Sequence, residues 1–409
     1  MPDTIMNQKG FSKLILIIII GVVIVIAGGV FWYYQQSAEQ NGSTPNTQST
    51  QGSSSAPTVS GSAEENGTKG TTSITAETDG DKGTVPGENP AFSGSAEEKT
   101  MIRGIVDNDL VVEVYDKNKA MYGTTLLPDN RNSDKPKIIE VNMLGEIIWE
   151  YDIPQELKRY TNPGFDVELL SNNNILFVLP GNGVYEIDRN KNIVWSYKTT
   201  KISHDADRLP NGNTLFVFGN NDLMSDAQVA EINSKGEIVW SWYAKDYFNK
   251  EPYQSIKDQG WTHTNAVSRL SNGDTLISIR NFNIVVEVNQ KGEIVKTIGE
   301  GLMTGQHDPV LLENGNLLFA NHGVPEKAVE INKNGDVVWE FEISNSKQWP
   351  TRDANRLSNG NTLITTTTKI VEVNKDKEIV WTLAIKDVSK FTRQASAGLG
   401  FYKAERIVK

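Results

Sequence analysis

Arg208-Leu-Pro-Asn-Gly-Asn-Thr-Leu215, followed downstream by Lys235-Gly-Glu-Ile-Val-Trp240, is a pair of phrases that the chain repeats. The first returns as Arg269-Leu-Ser-Asn-Gly-Asp-Thr-Leu276, Leu311-Leu-Glu-Asn-Gly-Asn-Leu-Leu318 and Arg356-Leu-Ser-Asn-Gly-Asn-Thr-Leu363. The second returns as Lys291-Gly-Glu-Ile-Val-Lys296, Asn334-Gly-Asp-Val-Val-Trp339 and Asp376-Lys-Glu-Ile-Val-Trp381, with looser copies at Leu144–Trp149 and Asn190–Trp195. Asn-Gly supplies the positive φ of a tight hairpin and lies here between apolar, β-branched runs. A short strand of the type Val229-Ala-Glu-Ile-Asn233 follows, then a Lys-Gly turn, then Ile-Val-Trp. Each unit therefore reads as four short antiparallel strands. Spacings of roughly 40 to 45 residues match propeller blades rather than helical solenoids. Six copies predict an all-β, six-bladed β-propeller over residues 99–409, with the Trp of each fourth strand packed between blades.

The ends of the repeat predict how the ring shuts. The first copy, Met121 to Pro154, shows no first strand, whereas Tyr402-Lys-Ala-Glu-Arg-Ile407 resembles His204-Asp-Ala-Asp-Arg-Leu209 and has no blade of its own. The C-terminal strand is expected to complete blade one and so remove an exposed edge.

Upstream of the repeats the composition changes twice. Residues 14–34 carry no charge, follow Lys9 and Lys13, and end in Phe31-Trp-Tyr-Tyr34. Such a stretch is long enough to span a bilayer as a helix, and the positive flank predicts that residues 1–13 are cytoplasmic and the rest exported. No Ala-x-Ala-like site follows Val30, which favours an uncleaved anchor over a signal peptide. Residues 35–98, rich in Ser, Thr, Gly, Glu and Gln, are expected to form a disordered stalk with an end-to-end distance of about 45 Å. The formal charge of -11 argues against nucleic acid and against anionic lipid surfaces, leaving membrane contact to the N-terminal helix alone. Without any Cys, disulfides, Cys-ligated zinc and thiol nucleophiles are excluded.

Candidate site residues emerge when the units are aligned on the Leu before Asn-Gly and counted back five positions. The set is Phe165, His204, Asn265, His307, Arg352 and, from the closing strand, Tyr402. First strands of a propeller line its channel, so these six predict a ring at one mouth. His263 lies two residues before Asn265. Arg280 and His322, at the ends of second strands, return to the same mouth. All four histidines of the chain thus converge there. Imidazoles beside guanidinium groups suit binding an anion and stabilising charge on it, and a neutral imidazole can act as a nucleophile. Three His can also hold zinc, but neighbouring Arg would repel a divalent cation, so neither metal nor cofactor is expected. Asp205 and Asp308 read as turn caps or imidazole partners. The aromatic insertion from Trp242 to Trp261 reads either as a wall for an aromatic ligand or as a packed satellite cluster.

These residues give the chain a resemblance to the bacterial and archaeal aryl-sulfate sulfotransferases, which do not use the adenylyl-phosphosulfate donor. The resemblance covers roughly residues 115 to 408. It rests on His204-Asp, on Trp261-Thr-His-Thr-Asn265 with Leu276-Ile-Ser-Ile-Arg280, and on Gly305-Gln-His-Asp308 with Asn314-Gly-Asn-Leu-Leu-Phe319. It implies that His307 takes the sulfo group from a phenolic sulfate ester, giving a covalent sulfohistidine. It further implies that His204, His263, Asn265 and Arg280 hold the sulfo oxygens and handle the phenolic proton, and that a phenol then collects the group. Arg352, His322, Phe165, Tyr402 and Trp261 are candidate substrate contacts. The sequence departs from the family at Asn321-His322-Gly323 and at Lys296, which replaces a repeat Trp. The alternatives are a non-catalytic tethered propeller that binds a glycan or protein, and a quinone-dependent dehydrogenase, whose metal-ligating carboxylates have no counterpart here.

Overall fold

The computed structural model describes residues 101–162, 165–343, 350–389 and 399–408. The expected anchor at 14–34 and stalk at 35–98 lie outside the described residues. Among the described residues no helix is long and apolar enough to cross a membrane. Six antiparallel sheets appear, one for each repeat, so the chain is an all-β six-bladed propeller. Blade three shows the unit: Ala206–Arg208, Thr214–Val217, Val229–Ile232 and Ile238–Trp242 pair in sequence order. Blades two (Asp166–Lys198), four (Thr264–Ile298) and five (His307–Glu342) repeat it.

Blades one and six are built differently, because they share the chain ends. In blade one, Thr124–Asn130 occupies the second position, and Gly400–Phe401 and Glu405–Ile407 both pair with it on its inner side. Two strands upstream of the first repeat carry no repeat signal. Ile105–Val106 pairs with the outer strand Glu146–Asp152 of blade one. Leu110–Tyr115 becomes a fifth, outer strand of blade six, against Ile379–Ile385. The register shifts opposite the Trp position of each fourth strand (Lys296 in blade four), between Glu231 and Ile232 for example, are β-bulges common to all six blades.

Successive side chains of a strand point to opposite faces, so each blade feeds two core layers. Leu276 and Val285 of blade four enter the layer shared with blade five, while Ile277 and Val286 enter the layer shared with blade three. Six such layers exist, one between each pair of neighbours, including Leu127, Ile139, Leu363 and Phe401 between blades six and one.

The repeat Trp has a defined partner. Glu186 of blade two is registered against Trp195, and Arg208 of blade three lies 4.3 Å above the Trp195 ring while pairing with Glu186 at 3.0 Å. The same Glu–Arg–Trp arrangement joins Glu231, Arg269 and Trp240, then Glu330, Arg356 and Trp339, then Glu372, Arg406 and Trp381. Glu140, Arg189 and Trp149 form it between blades one and two. Between blades four and five it is absent, and both losses are coherent. Leu311 fills the Arg position, and Lys296 fills the Trp position directly across from Glu287. Replacing Arg269 by Ala removes a cation–π contact and leaves Glu231 without its cation. We expect a loss of roughly 1–3 kcal/mol in urea denaturation. Leu311→Ala at the equivalent position of blade five is expected to cost less, under about 1.5 kcal/mol, because Leu311 is already 36% exposed.

Candidate functional site

The aligned position of the first strands is a bulge. Thr264 pairs with Ile279 and Ala266 with Ser278, leaving Asn265 as the extra residue. Arg352 is the extra residue between Thr351 and Asp353 in blade six. In blade three, Ser203 and Asp205 both bond to Val217, with His204 between them. Blade five has its irregularity between His307 and Val310, with Asp308 at φ 47°. A bulge adds one unpaired residue and re-aims its side chain. Here it turns His204, Asn265 and Arg352 into the mouth of the channel, where His307 joins them.

A small cavity, with only about 10 Å³ of free room, brings together His204, Asn265, His307, Arg352 and Tyr402, with Asp166, Asp205, Asp308 and Lys403. His263 joins through its ring contact with His204, at 4.9 Å between centroids. His322 stacks on His307 at 4.1 Å and is held at Nε2 by the Thr351 carbonyl, 2.7 Å away. Arg280 forms a 3-10 turn with Asn281 and Phe282, and its guanidinium bonds to Asp258 (3.3 Å) and Asn281 (2.9 Å). A Cβ placed on Gly305 would lie 3.9 Å from Arg280 Nε and 3.4 Å from His322 Cβ, so these two side chains converge beside the His307 strand. The Arg352 guanidinium lies 5.2 Å from the Tyr402 ring centre. Phe165 is not in the imidazole cavity. It lines an adjoining one with Arg352, Tyr402, Phe401, Asn130 and Thr161. Trp261 is a core residue: it is buried, packs edge-on against Phe282, and donates its indole N–H to the Tyr253 carbonyl at 2.9 Å. Of the two readings of the aromatic insertion, the packed cluster is the one observed, with Phe248, Tyr253, Trp261 and Phe282 in mutual contact.

Besides His322, two further imidazoles are fixed by backbone carbonyls. His307 Nδ1 is 2.9 Å from the Gly305 carbonyl and His263 Nδ1 is 3.1 Å from the Gln259 carbonyl, so each Nδ1 carries the proton and each Nε2 keeps its lone pair. No hydrogen bond to a described residue fixes His204, and its buried Nδ1 is without a partner. Burial pushes His204, His263 and His307 toward the neutral form. His307 falls well below the usual range through burial, then the neighbouring His322, Arg352 and Arg280. His204 falls similarly through burial, His263 and the two Arg. His263 is pushed down to about 4 by burial and Arg280.

Hairpins of the preceding blade hold these strands. Asn283 Oδ1 of blade four accepts the Gly305 N–H (2.8 Å), and the Ile284 carbonyl accepts the Gln306 amide (2.8 Å) beside His307. Glu326 of blade five accepts the Thr351 N–H (2.7 Å) beside Arg352. Gly219 of blade three lies so close to the Thr264 carbonyl that any side chain would collide with it.

A second ring lies one residue further along each first strand: Asp166, Asp205, Ala266, Asp308, Asp353 and Lys403. Lys403 Nζ is 3.2 Å from Asp166, 3.4 Å from Asp308 and 3.6 Å from Asp205. Burial alone would lower Lys403, but Asp166, Asp308, Asp205 and Asp353 together hold it well above its usual range. The caps expected at Asp205 and Asp308 are thus channel-lining carboxylates around one ammonium. Asp205 also accepts the Val267 N–H of the next blade (2.7 Å), as Asp353 accepts that of Ala404 (3.2 Å). The alignment held this ring in view, but a single Lys among carboxylates has no motif.

Fold and site define a six-bladed propeller with a histidine-lined channel mouth. Residues 108–303 match the family model Arylsulfotransferase (ASST), consistent with the arylsulfotransferase family that the sequence resembles. No curated protein matches the chain. Among solved structures, a protein of unknown function from Bacteroides caccae is 19% identical with a TM-score of 0.51, covering 70% of this chain and 100% of its own, which shows the fold alone. A virginiamycin B lyase from Staphylococcus aureus is 14% identical with a TM-score of 0.43, covering 66% of this chain and 87% of its own.

The depressed imidazoles carry a linkage consequence. The unfolded chain protonates its His near pH 6.5, whereas the folded chain resists protonation until well below that. Between about pH 4 and 6.5 the unfolded state therefore binds more protons at these groups, and their contribution to stability falls as pH falls through this window. Buried carboxylates held above their usual range, Glu168 at about 7 among them, act in the opposite sense. The imidazole contribution is therefore read by difference: the urea-midpoint advantage of the wild type over His263→Gln should grow from pH 4.5 to 6.5 and level off above it.

Proposed function

We propose that the protein transfers a sulfo group between phenols through a covalent intermediate on His307. The observation that carries this reading is the His307 tautomer, with Nδ1–H tied to the Gly305 carbonyl and the remaining nitrogen carrying a lone pair, in a cavity that Arg352 and Asn265 also line. His307 Nε2 attacks the sulfur of an aryl sulfate, the N–S bond forms, and the S–O ester bond breaks to release the phenolate. A second phenol then loses its proton as its oxygen attacks sulfur, and the N–S bond breaks. Asn265, Arg352 and Arg280 supply donors for the sulfo oxygens, where a low-dielectric site makes them most effective. His204 is the imidazole best suited to move the phenolic proton, because no hydrogen bond to a described residue fixes its tautomer. Tyr402 remains protonated, held up by burial, and can donate to the ester oxygen.

The reading extends to the whole chain. The C-terminal strand closes the ring, supported by its pairing with Thr124–Asn130. The apolar residues 14–34 anchor the propeller, through the stalk, on the outer side of the membrane, supported by their length and flanking Lys.

The test uses a chromogenic aryl sulfate with and without an added phenol. Chromophore release should depend on the phenol, with parallel double-reciprocal plots from a ping-pong mechanism. His307→Ala should lower kcat by at least about 10³-fold. Release unaffected by His307→Ala would sink the reading, and absence of release with any phenol would favour a non-catalytic propeller.

A further inference from the structure

The segment that carries His263 closes on a buried carboxylate outside the cavity. Asp222 stands in the connection between Thr214–Val217 and Val229–Ile232 of blade three. Its Oδ1 accepts the backbone N–H of Trp261 (2.9 Å), Thr262 (3.1 Å) and His263 (3.2 Å). Its Oδ2 accepts the Thr262 hydroxyl (2.7 Å) and the Gln228 amide (3.1 Å). The Asp222 carbonyl accepts the Trp261 N–H (3.0 Å), and the Asn221 N–H donates to the Gln259 carbonyl (2.8 Å). Each of these partners of the carboxylate is a donor, which fits the ionised form. Gly260, at φ 121°, makes the wrap possible, since a Cβ there would lie 2.5 Å from Asp222 Oδ1.

The wrap ends at His263, whose backbone is left-handed at φ 47°. A non-glycine residue there is strained and persists only where its surroundings impose it. Three consecutive amides converging on one carboxylate are such an imposition, and they leave the imidazole against His204 with Nδ1 on the Gln259 carbonyl.

We propose that Asp222 is a positioning residue, which fixes the left-handed backbone at His263 and so aims that imidazole into the site. The effect on rate rests on the sulfo-transfer reading, whereas the effect on the His263 ring does not.

The experiment uses the full chain with 15N-labelled histidine. Its four His rings are assigned with single His→Gln variants. In Asp222→Asn the His263 ring signals should move while those of His307 stay in place. In aryl sulfate turnover, Asp222→Asn should lower kcat by about 10- to 100-fold with a smaller change in KM. In a His263→Ala background it should cause no further loss, because it acts through His263. Asp222→Glu should recover part of the rate. If Asp222→Asn does not fold, Thr262→Val, which deletes one bond to the carboxylate, should move the same His263 signals by less. Unmoved His263 signals in a folded variant, or losses that multiply in the double variant, would overturn the proposal. If the wild-type chain transfers no sulfo group, or His263→Ala has no effect, the functional reading fails and the ring signals alone decide Asp222.

Discussion

A four-stranded sheet with two apolar faces can bury both only between two neighbours, and this constraint shapes the whole propeller. Every blade donates alternate side chains to the layer before it and the layer after it, so no blade has a core of its own. Fully burying a Leu, Ile or Phe contributes about 1.5–3 kcal/mol, and each layer holds many. Polar links are superimposed on this burial. The Glu–Arg–Trp set recurs at five junctions, and the inner strands are stitched by carboxylates that accept amides of the next blade. Glu168 accepts the Arg208 N–H and Glu405 accepts that of Leu169. Inner edges facing a channel would otherwise leave these amides without partners.

The same closeness of neighbouring blades builds the site. A residue of one inner strand is positioned by the hairpin of the blade before it: Asn283 for Gly305, Glu326 for Thr351, Asp222 for Trp261 to His263. Bulges then break the ladder at the aligned position and turn a side chain inward that regular pairing would have buried against a neighbouring blade. Positive φ occurs at the site, at His263, Asp308 and Gln259, as well as in the turns of blades two and six. Burial keeps His204, His263 and His307 neutral, and backbone carbonyls select the tautomers of His263, His307 and His322. Beneath them, one ammonium neutralises part of a carboxylate ring that could not otherwise stay buried.

Much of this was legible in the sequence, for physical reasons that can be stated. Asn-Gly hairpins and Ile-Val-Trp strands are local signals, so six copies counted six blades. Because the blades are equivalent, aligning the repeats was equivalent to superposing them, and it placed His204, Asn265, His307, Arg352 and Tyr402 on one ring before any coordinates. The same alignment put Phe165 on that ring, yet it faces a neighbouring cavity. Trp261, which the sequence left open between ligand wall and packed cluster, is buried against Phe282, and composition alone could not decide this because it does not say which face of a loop is covered.

What the sequence determined by itself was periodic: strand order, blade number and the end of the channel at which the histidines lie. What tertiary structure decided was everything that depends on contact between residues far apart in the chain. Leu110–Tyr115 reaches blade six, Lys403 meets three aspartates from different blades, and Asp222 gathers amides some 40 residues downstream. Hydrogen bonds and ion pairs of this kind have no period, since each exists at one junction only, and closing the ring is what brings their partners within reach.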